Sequence, residues 1–114
     1  MATRYYLSLP NPEKARGSDA AFAFTSHGAD GFASELQAAL RSDALFQRWR
    51  AAQADPDGVD ASFGATDPAA TVTGQQDHLH IDLIATTSIP GSVFKHRLRL
   101  LAGSAWELRD VTAA

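Results

Sequence analysis

Apolar and polar residues alternate along the stretch 78–101, HLHIDLIATTSIPGSVFKHRLRLL, and this pattern predicts two strands. Before the Pro-Gly pair at 90–91 the polar positions hold histidine, aspartate and threonine, and after it they hold lysine and arginine. Side chains that alternate in this way point to opposite faces of a strand. Because Pro-Gly is typical of a turn, we predict a β-hairpin in which Asp82 faces Arg99 on the polar side.

Shorter patterns predict the remaining elements. The segments 4–9 (RYYLSL) and 19–25 (DAAFAFT) alternate and predict two early strands, and 105–111 (AWELRDV) predicts a last one. Between residues 31 and 53 apolar side chains recur every three or four positions, which is typical of a helix with one apolar face. A break near Ser42 favours two helices there, and one continuous helix is the alternative.

The predicted order of elements is β-β-α-α-β-β-β. This order indicates an α+β fold with a mainly antiparallel five-stranded sheet and two helices packed on one face. A chain of 114 residues suggests a single domain, residues 1–114. Residues 54–70 are rich in proline, glycine and aspartate and have no period, so we expect a long loop that is mobile or functional. Residues 71–73 form either a short strand or the lead-in to the hairpin.

Composition is that of a globular domain, with 45% hydrophobic and 20% charged residues. The chain has no cysteine, which excludes disulfides and thiolate metal ligands. No apolar run approaches the ~20 residues that span a bilayer, and the first residues do not resemble a signal peptide. We therefore expect a cytoplasmic protein without a membrane partner. The abundance of alanine and arginine is typical of bacterial proteins, so we expect a bacterial source.

Charge narrows the choice of partners. The net charge of −3 and the isoelectric point near 5.7 argue against nucleic-acid binding. The basic side chains are nevertheless concentrated on the predicted return strand, where every second residue would share one face. This face would form a site for a phosphate or carboxylate, and its residues are Lys95, Arg97 and Arg99.

A candidate metal site is the motif His78-x-His80-x-Asp82. On a strand the three side chains would project from one face, and Cα atoms two residues apart would be about 6.7 Å from each other. Zn²⁺ accepts both imidazole nitrogen and carboxylate oxygen. In the predicted register Arg99 competes for the Asp82 carboxylate, so two histidines without a metal ion are the alternative. No cofactor motif and no nucleophile motif such as G-x-S-x-G is present, so we expect no cofactor and assign no catalytic residue.

Three aliphatic residues fall among the charges on the polar side of the predicted hairpin, and they are Ile84, Val93 and Leu101. Clustered apolar side chains on an exposed face are typical of a contact surface. We expect this face to bind another protein or a second copy of the chain in a homodimer.

The sequence leaves three hypotheses about function. The leading one is a non-enzymatic binding or interaction domain that uses the exposed face of the sheet. The second is a metal-dependent enzyme or metal binder that uses His78, His80 and Asp82. The third is a small-ligand-binding domain with a cavity between helices and sheet, bordered by residues 54–70.

Overall fold

One antiparallel sheet of four strands organises the chain in a computed structural model that describes residues 2–114. In chain order the strands are β1 (Thr3–Leu9), β2 (Thr71–Asp77), β3 (His80–Thr87) and β4 (Glu107–Ala113). Across the sheet their order is β2-β3-β1-β4. The helices are α1 (Ala29–Arg41), α2 (Ala44–Ala51) and α3 (Gly91–Ala102). None of the helices within residues 2–114 is both long and apolar enough to cross a membrane.

The connections interlock two β-α-β units. α1 and α2 link β1 to β2, with β3 lying between these strands, and α3 links β3 to β4, with β1 between them. This β-α-β-β-α-β order is the connectivity of ferredoxin-like folds. Such connectivity is shared by proteins of many functions and identifies none.

The alternation of side chains along the two central strands, β1 and β3, decides which face of the sheet is buried. β1 and β3 pair with Leu7 opposite Leu83 and Tyr5 opposite Ala85. The buried hydrophobic side chains of these strands are Tyr5, Leu7, Leu9, Ile81, Leu83 and Ala85. They pack on the apolar sides of α1 and α3, which contribute Phe32, Leu36, Leu40, Phe94 and Leu98.

The opposite side of the sheet has mostly half-buried or exposed side chains, and we call it the open face. Its residues on the β2–β3 hairpin are Thr71, Thr73, Gln75, Asp77, His80, Asp82, Ile84 and Thr86. The helices, of which there are three rather than the predicted two, therefore cover one face and leave the other accessible.

The predicted hairpin at residues 90–91 is wrong, because residues 91–102 form α3. Alternation at even-numbered positions suggests a strand, but the buried residues recur at three- and four-residue spacing. They are Val93, Phe94, Arg97, Leu98, Leu101 and Ala102. Pro90 fits at the start of a helix, where its missing N–H is not required. The real hairpin joins β2 to β3 through residues 78–79.

The prediction of five strands is also wrong, although the α+β class is right. Residues 19–23 form turns, in which the Phe22 and Ala23 amides donate to the Asp19 carbonyl at 3.0 and 3.1 Å, and residues 24–25 are irregular. The Asp19 carboxylate accepts from the Ala21 amide, which holds this local turn in place of a strand. The alternating Phe22 and Phe24 are instead two aromatic anchors buried in the core.

The first crossover agrees more closely with the sequence. A break separates α1 from α2 at Ser42 and Asp43, which confirms two helices rather than one. Ser42 is extended, with ψ at 164°, so the chain leaves the helical conformation there. The last strand is confirmed as β4, but it pairs with β1 and not with residues 92–101.

Arg97 is the largest fully buried side chain, with 1% of its surface exposed. Its guanidinium donates to the carbonyl of Ala39 at 3.0 Å and to that of Phe63 at 2.7 Å. Burial lowers the pKa of the guanidinium. The side chain thus ties α3 to the end of α1 and to the segment 54–70.

Asp67 fixes the same segment a second time, four residues after Phe63. Its carboxylate accepts from the Thr87 hydroxyl at 3.0 Å and from the Ser88 amide at 2.9 Å. These hydrogen bonds, that of the Ser88 amide above all, hold the pKa of Asp67 below its ordinary value. Segment 54–70 also contains two 3-10 turns, at Pro56–Gly58 and Ala61–Gly64.

His96 packs between two aromatic rings, with its ring centre 4.6 Å from that of Trp49 and 5.0 Å from that of Phe63. Its Nδ1 atom is buried and has no hydrogen-bond partner among the described residues. Burial, with smaller contributions from the Arg97 and Arg99 charges, lowers the pKa of His96. The neutral imidazole is therefore the form that the fold favours.

Replacing Arg97 tests its role as an anchor. In Arg97→Lys the charge remains but the single ammonium cannot replace both ends of the guanidinium fork, so we expect a loss of about 2 kcal/mol in unfolding free energy. Urea denaturation measures the change. Arg99→Lys on the exposed side of the same helix is the matched control, with an expected change within about 0.5 kcal/mol. Equal effects of the two substitutions would contradict the anchoring role.

The pH dependence of stability tests His96. The pKa of His96 is lowered in the folded chain from the ordinary value of 6.5, so the unfolded chain binds the proton more readily. Its stabilising contribution is therefore complete above pH 6.5 and is lost as the pH falls below that value. In the parent protein the unfolding free energy should decrease as the pH falls from about 7.5 to 5.5, and in His96→Phe we expect this decrease to be smaller. His78→Gln, at an exposed histidine, should retain the parent's pH profile, and an unchanged profile in His96→Phe would refute the assignment.

Candidate metal centre on the open face

The β2–β3 hairpin brings together three potential metal ligands. Its register places Asp77 opposite His80 and Gln75 opposite Asp82. Facing residues in an antiparallel pair lie on the same side of the sheet, and so do residues two apart on one strand. Asp77, His80 and Asp82 therefore share the open face at the end of the hairpin.

The atoms of this group lie close to one another. The His80 Nε2 atom is 3.4 Å from an Asp82 oxygen and 3.7 Å from an Asp77 oxygen. One ligand atom from each residue can be chosen so that all three lie within 4.8 Å of one another. One imidazole nitrogen and two carboxylate oxygens suit Zn²⁺ and other divalent transition metals. We call these three residues the Asp-His-Asp group.

The Asp-His-Asp group is accessible rather than enclosed. The exposed fractions of the side chains are 36% for His80, 47% for Asp82 and 55% for Asp77. Three protein ligands leave further positions around a metal ion for water or another ligand. If His80 is protonated instead, the same short distances make it an ion-pair partner of both carboxylates.

His78 lies at the tip of the hairpin, outside this group. It is the first of the two turn residues and has φ at 54°, in the left-handed region where glycine is favoured. Its side chain is 92% exposed, and its Nε2 atom lies 3.8 Å from the other Asp77 oxygen. The turn thus separates His78 from the strand that holds His80 and Asp82.

The sequence motif identified two of the three members of the group, His80 and Asp82. The motif omits Asp77 because it assumes one continuous strand from His78, whereas β2 ends at Asp77 and β3 begins at His80. A signal existed in the sequence, since a two-residue turn pairs the residues on either side of it.

The predicted contact between Asp82 and Arg99 is wrong, because Arg99 belongs to α3 rather than to a neighbouring strand. Asp82 is flanked by Gln75 on β2 and Ser8 on β1. Arg99 instead borders a surface cleft beside Trp49 and Ser18. The cation expected to compete for the Asp82 carboxylate is therefore elsewhere in the fold.

The predicted anion site changes with the secondary structure. On a helix each residue is rotated by about 100° from the one before it, so Lys95 and Arg99 lie on one side and Arg97 on the other. Arg97 is buried and donates to two carbonyls, while Arg99 is exposed. The structure does not bring Lys95, Arg97 and Arg99 together on one surface.

The predicted apolar interface is likewise dispersed. Ile84 lies on the open face with 37% of its surface exposed. Val93 and Leu101 belong to the buried side of α3. Of the three residues, Ile84 alone is accessible to a partner.

A shallow depression of about 230 Å³ adjoins the Asp-His-Asp group. Its walls are formed by Thr73, Gly74, Gln75, Asp82 and Ile84. Asp82 belongs to both features, so the depression begins where the group ends.

The space between helices and sheet, where the sequence suggested a ligand cavity bordered by residues 54–70, holds packed core side chains.

Another cleft, of about 330 Å³, lies between residues 20–25 and the junction of α1 and α2. Alanines form much of its wall, and Glu35 at its edge accepts hydrogen bonds from the Thr25 and Ser26 amides. The Glu35 carboxylate is thus already used to fix the loop to α1. The Asp-His-Asp group is the better candidate site, because its donors converge on one point.

Comparison with known proteins finds no match to this chain among family models, among curated proteins or among solved structures.

Proposed function

We propose that this protein is a small non-enzymatic binding domain that holds a divalent transition-metal ion on the open face of its sheet. The observation that carries this proposal is the convergence of the Asp-His-Asp group, with His80 Nε2 at 3.4 and 3.7 Å from two carboxylates. Two carboxylates and a neutral imidazole offer two negative charges and three donor atoms to a divalent cation. Both strands that supply these donors are fixed by the register of one hairpin.

The surroundings of the group favour reversible binding over a structural role for the metal. Structural zinc sites are closed by four protein ligands and supply folding energy to chains that lack a core. Here the core forms from buried residues of all three helices and of β1, β2 and β3. The donors are about half exposed, so an ion there remains open to exchange.

Titration calorimetry of the metal-free protein with Zn²⁺ tests this proposal. We expect one ion per chain, and at least a tenfold weaker affinity in His80→Ala, which removes a ligand, and in Asp82→Asn, which removes the charge of a ligand. His78→Ala is the matched control, since His78 is a neighbouring histidine outside the group, and its affinity should stay within about twofold of the parent. Absence of stoichiometric binding would reject the proposal, as would an equal loss of affinity in His78→Ala and His80→Ala.

A second candidate function is contact with another copy of the chain through the open face. The supporting observation is Ile84, a large aliphatic side chain that is 37% exposed on a face without helices. An apolar side chain in this setting gains free energy when a partner covers it.

Sedimentation velocity at high micromolar concentration tests this candidate. We expect a dimer that dissociates in Ile84→Lys, because the substitution places a charge in the contact. Leu79→Lys, at an exposed leucine on the hairpin tip, should leave the dimer intact. A parent protein that sediments as a monomer would rule out self-association at this concentration.

A further inference from the structure

We infer that the metal site, if the function proposed above is correct, takes a small organic anion as its second ligand. The chemical class is a short carboxylate with a second chelating oxygen and a small branched apolar body, such as an α-hydroxy acid. The anion would chelate the metal held by the Asp-His-Asp group and lay its apolar body in the adjoining depression.

The hairpin ladder sets the position of the two features. Successive facing pairs on the open face are Asp77 with His80, Gln75 with Asp82, and Thr73 with Ile84. The first two pairs supply the metal ligands, and the second and third line the depression. Asp82 and Ile84 are two residues apart on one strand, about 6.7 Å between Cα atoms. A ligand of a few carbon atoms can reach from one to the other.

The charges make anion binding depend on the metal. The carboxylates of Asp77 and Asp82 both lie at this end of the open face, and neither Lys nor Arg lines the depression. Two carboxylates repel an anion by themselves. A divalent cation offsets their charge and offers open coordination positions to the incoming oxygen atoms.

The depression suits the other end of such a ligand. Ile84 supplies an apolar wall, and the Gln75 amide and Thr73 hydroxyl can donate hydrogen bonds to the ligand. The volume of about 230 Å³ falls below the roughly 300–1,000 Å³ typical of sites for drug-sized molecules. Size and lining together favour a short, branched molecule over a nucleotide or a long acyl chain.

The test compares two probes with the same chelating group. Glycolate and 2-hydroxyisovalerate both present a carboxylate and a hydroxyl group, but only the second has an isopropyl group to place against Ile84. The Co²⁺-loaded protein is titrated with each, the absorption of Co²⁺ is followed, and a protein-free titration corrects for chelation in solution. We expect 2-hydroxyisovalerate to bind about tenfold more tightly, and neither probe to bind the metal-free protein.

Two variants test whether Ile84 causes the preference for 2-hydroxyisovalerate over glycolate. Ile84→Thr keeps the branch at Cβ but replaces the ethyl group with a hydroxyl, and we expect it to reduce the preference for 2-hydroxyisovalerate to about twofold. Thr71→Ala, on the same face of β2 but outside the depression, is the control and should retain the tenfold preference.

The outcomes separate this inference from the proposed function. If Co²⁺ does not bind, both are rejected. If Co²⁺ binds but the two probes bind equally, or if the preference survives in Ile84→Thr, the inference is rejected and the metal site stands.

Discussion

The register between β3 and its two neighbours is the constraint on which the rest of the structure depends. Ile81, Leu83 and Ala85 face the helices and are fully buried. Because strand side chains alternate, their burial fixes His80, Asp82 and Ile84 on the other face. A slip of one residue would place the polar residues of β3 in the core, at a cost far above that of any surface contact.

The same register explains why the candidate metal site lies at the end of the hairpin. A two-residue turn leaves Asp77 and His80 as the last facing pair, and Asp82 is the next residue on that side. The site thus requires no long loop and no contribution from the helices. It uses only the geometry that the core already imposes on β2 and β3, on the face that the helices do not cover.

The helical layer depends on two buried polar side chains as well as on apolar packing. Arg97 binds carbonyls of α1 and of segment 54–70, and Asp67 binds the end of β3 through Thr87 and Ser88. These contacts fix the second half of a long segment without strands or α-helices, at Phe63 and at Asp67. Since they lie on the covered side of the sheet, they hold the fold together without involving the open face.

Local patterns determined much of this protein, including the α+β class, the α1–α2 break at Ser42, and the parity of β3 that puts His80 and Asp82 on one face. The class and the alternation along β3 follow from periodicity, and the break follows from its interruption, and a sequence displays both directly. The tertiary structure decided the state of residues 91–102, because Phe94 and Leu98 fit both a strand and a helix, and only packing on the sheet selects the helix. It also decided that Asp77 replaces His78 in the Asp-His-Asp group, since the ends of β2 and β3 are set by their pairing with each other. Pairing between distant segments has no period of its own, and for that reason the sequence indicated the donors but not their final set.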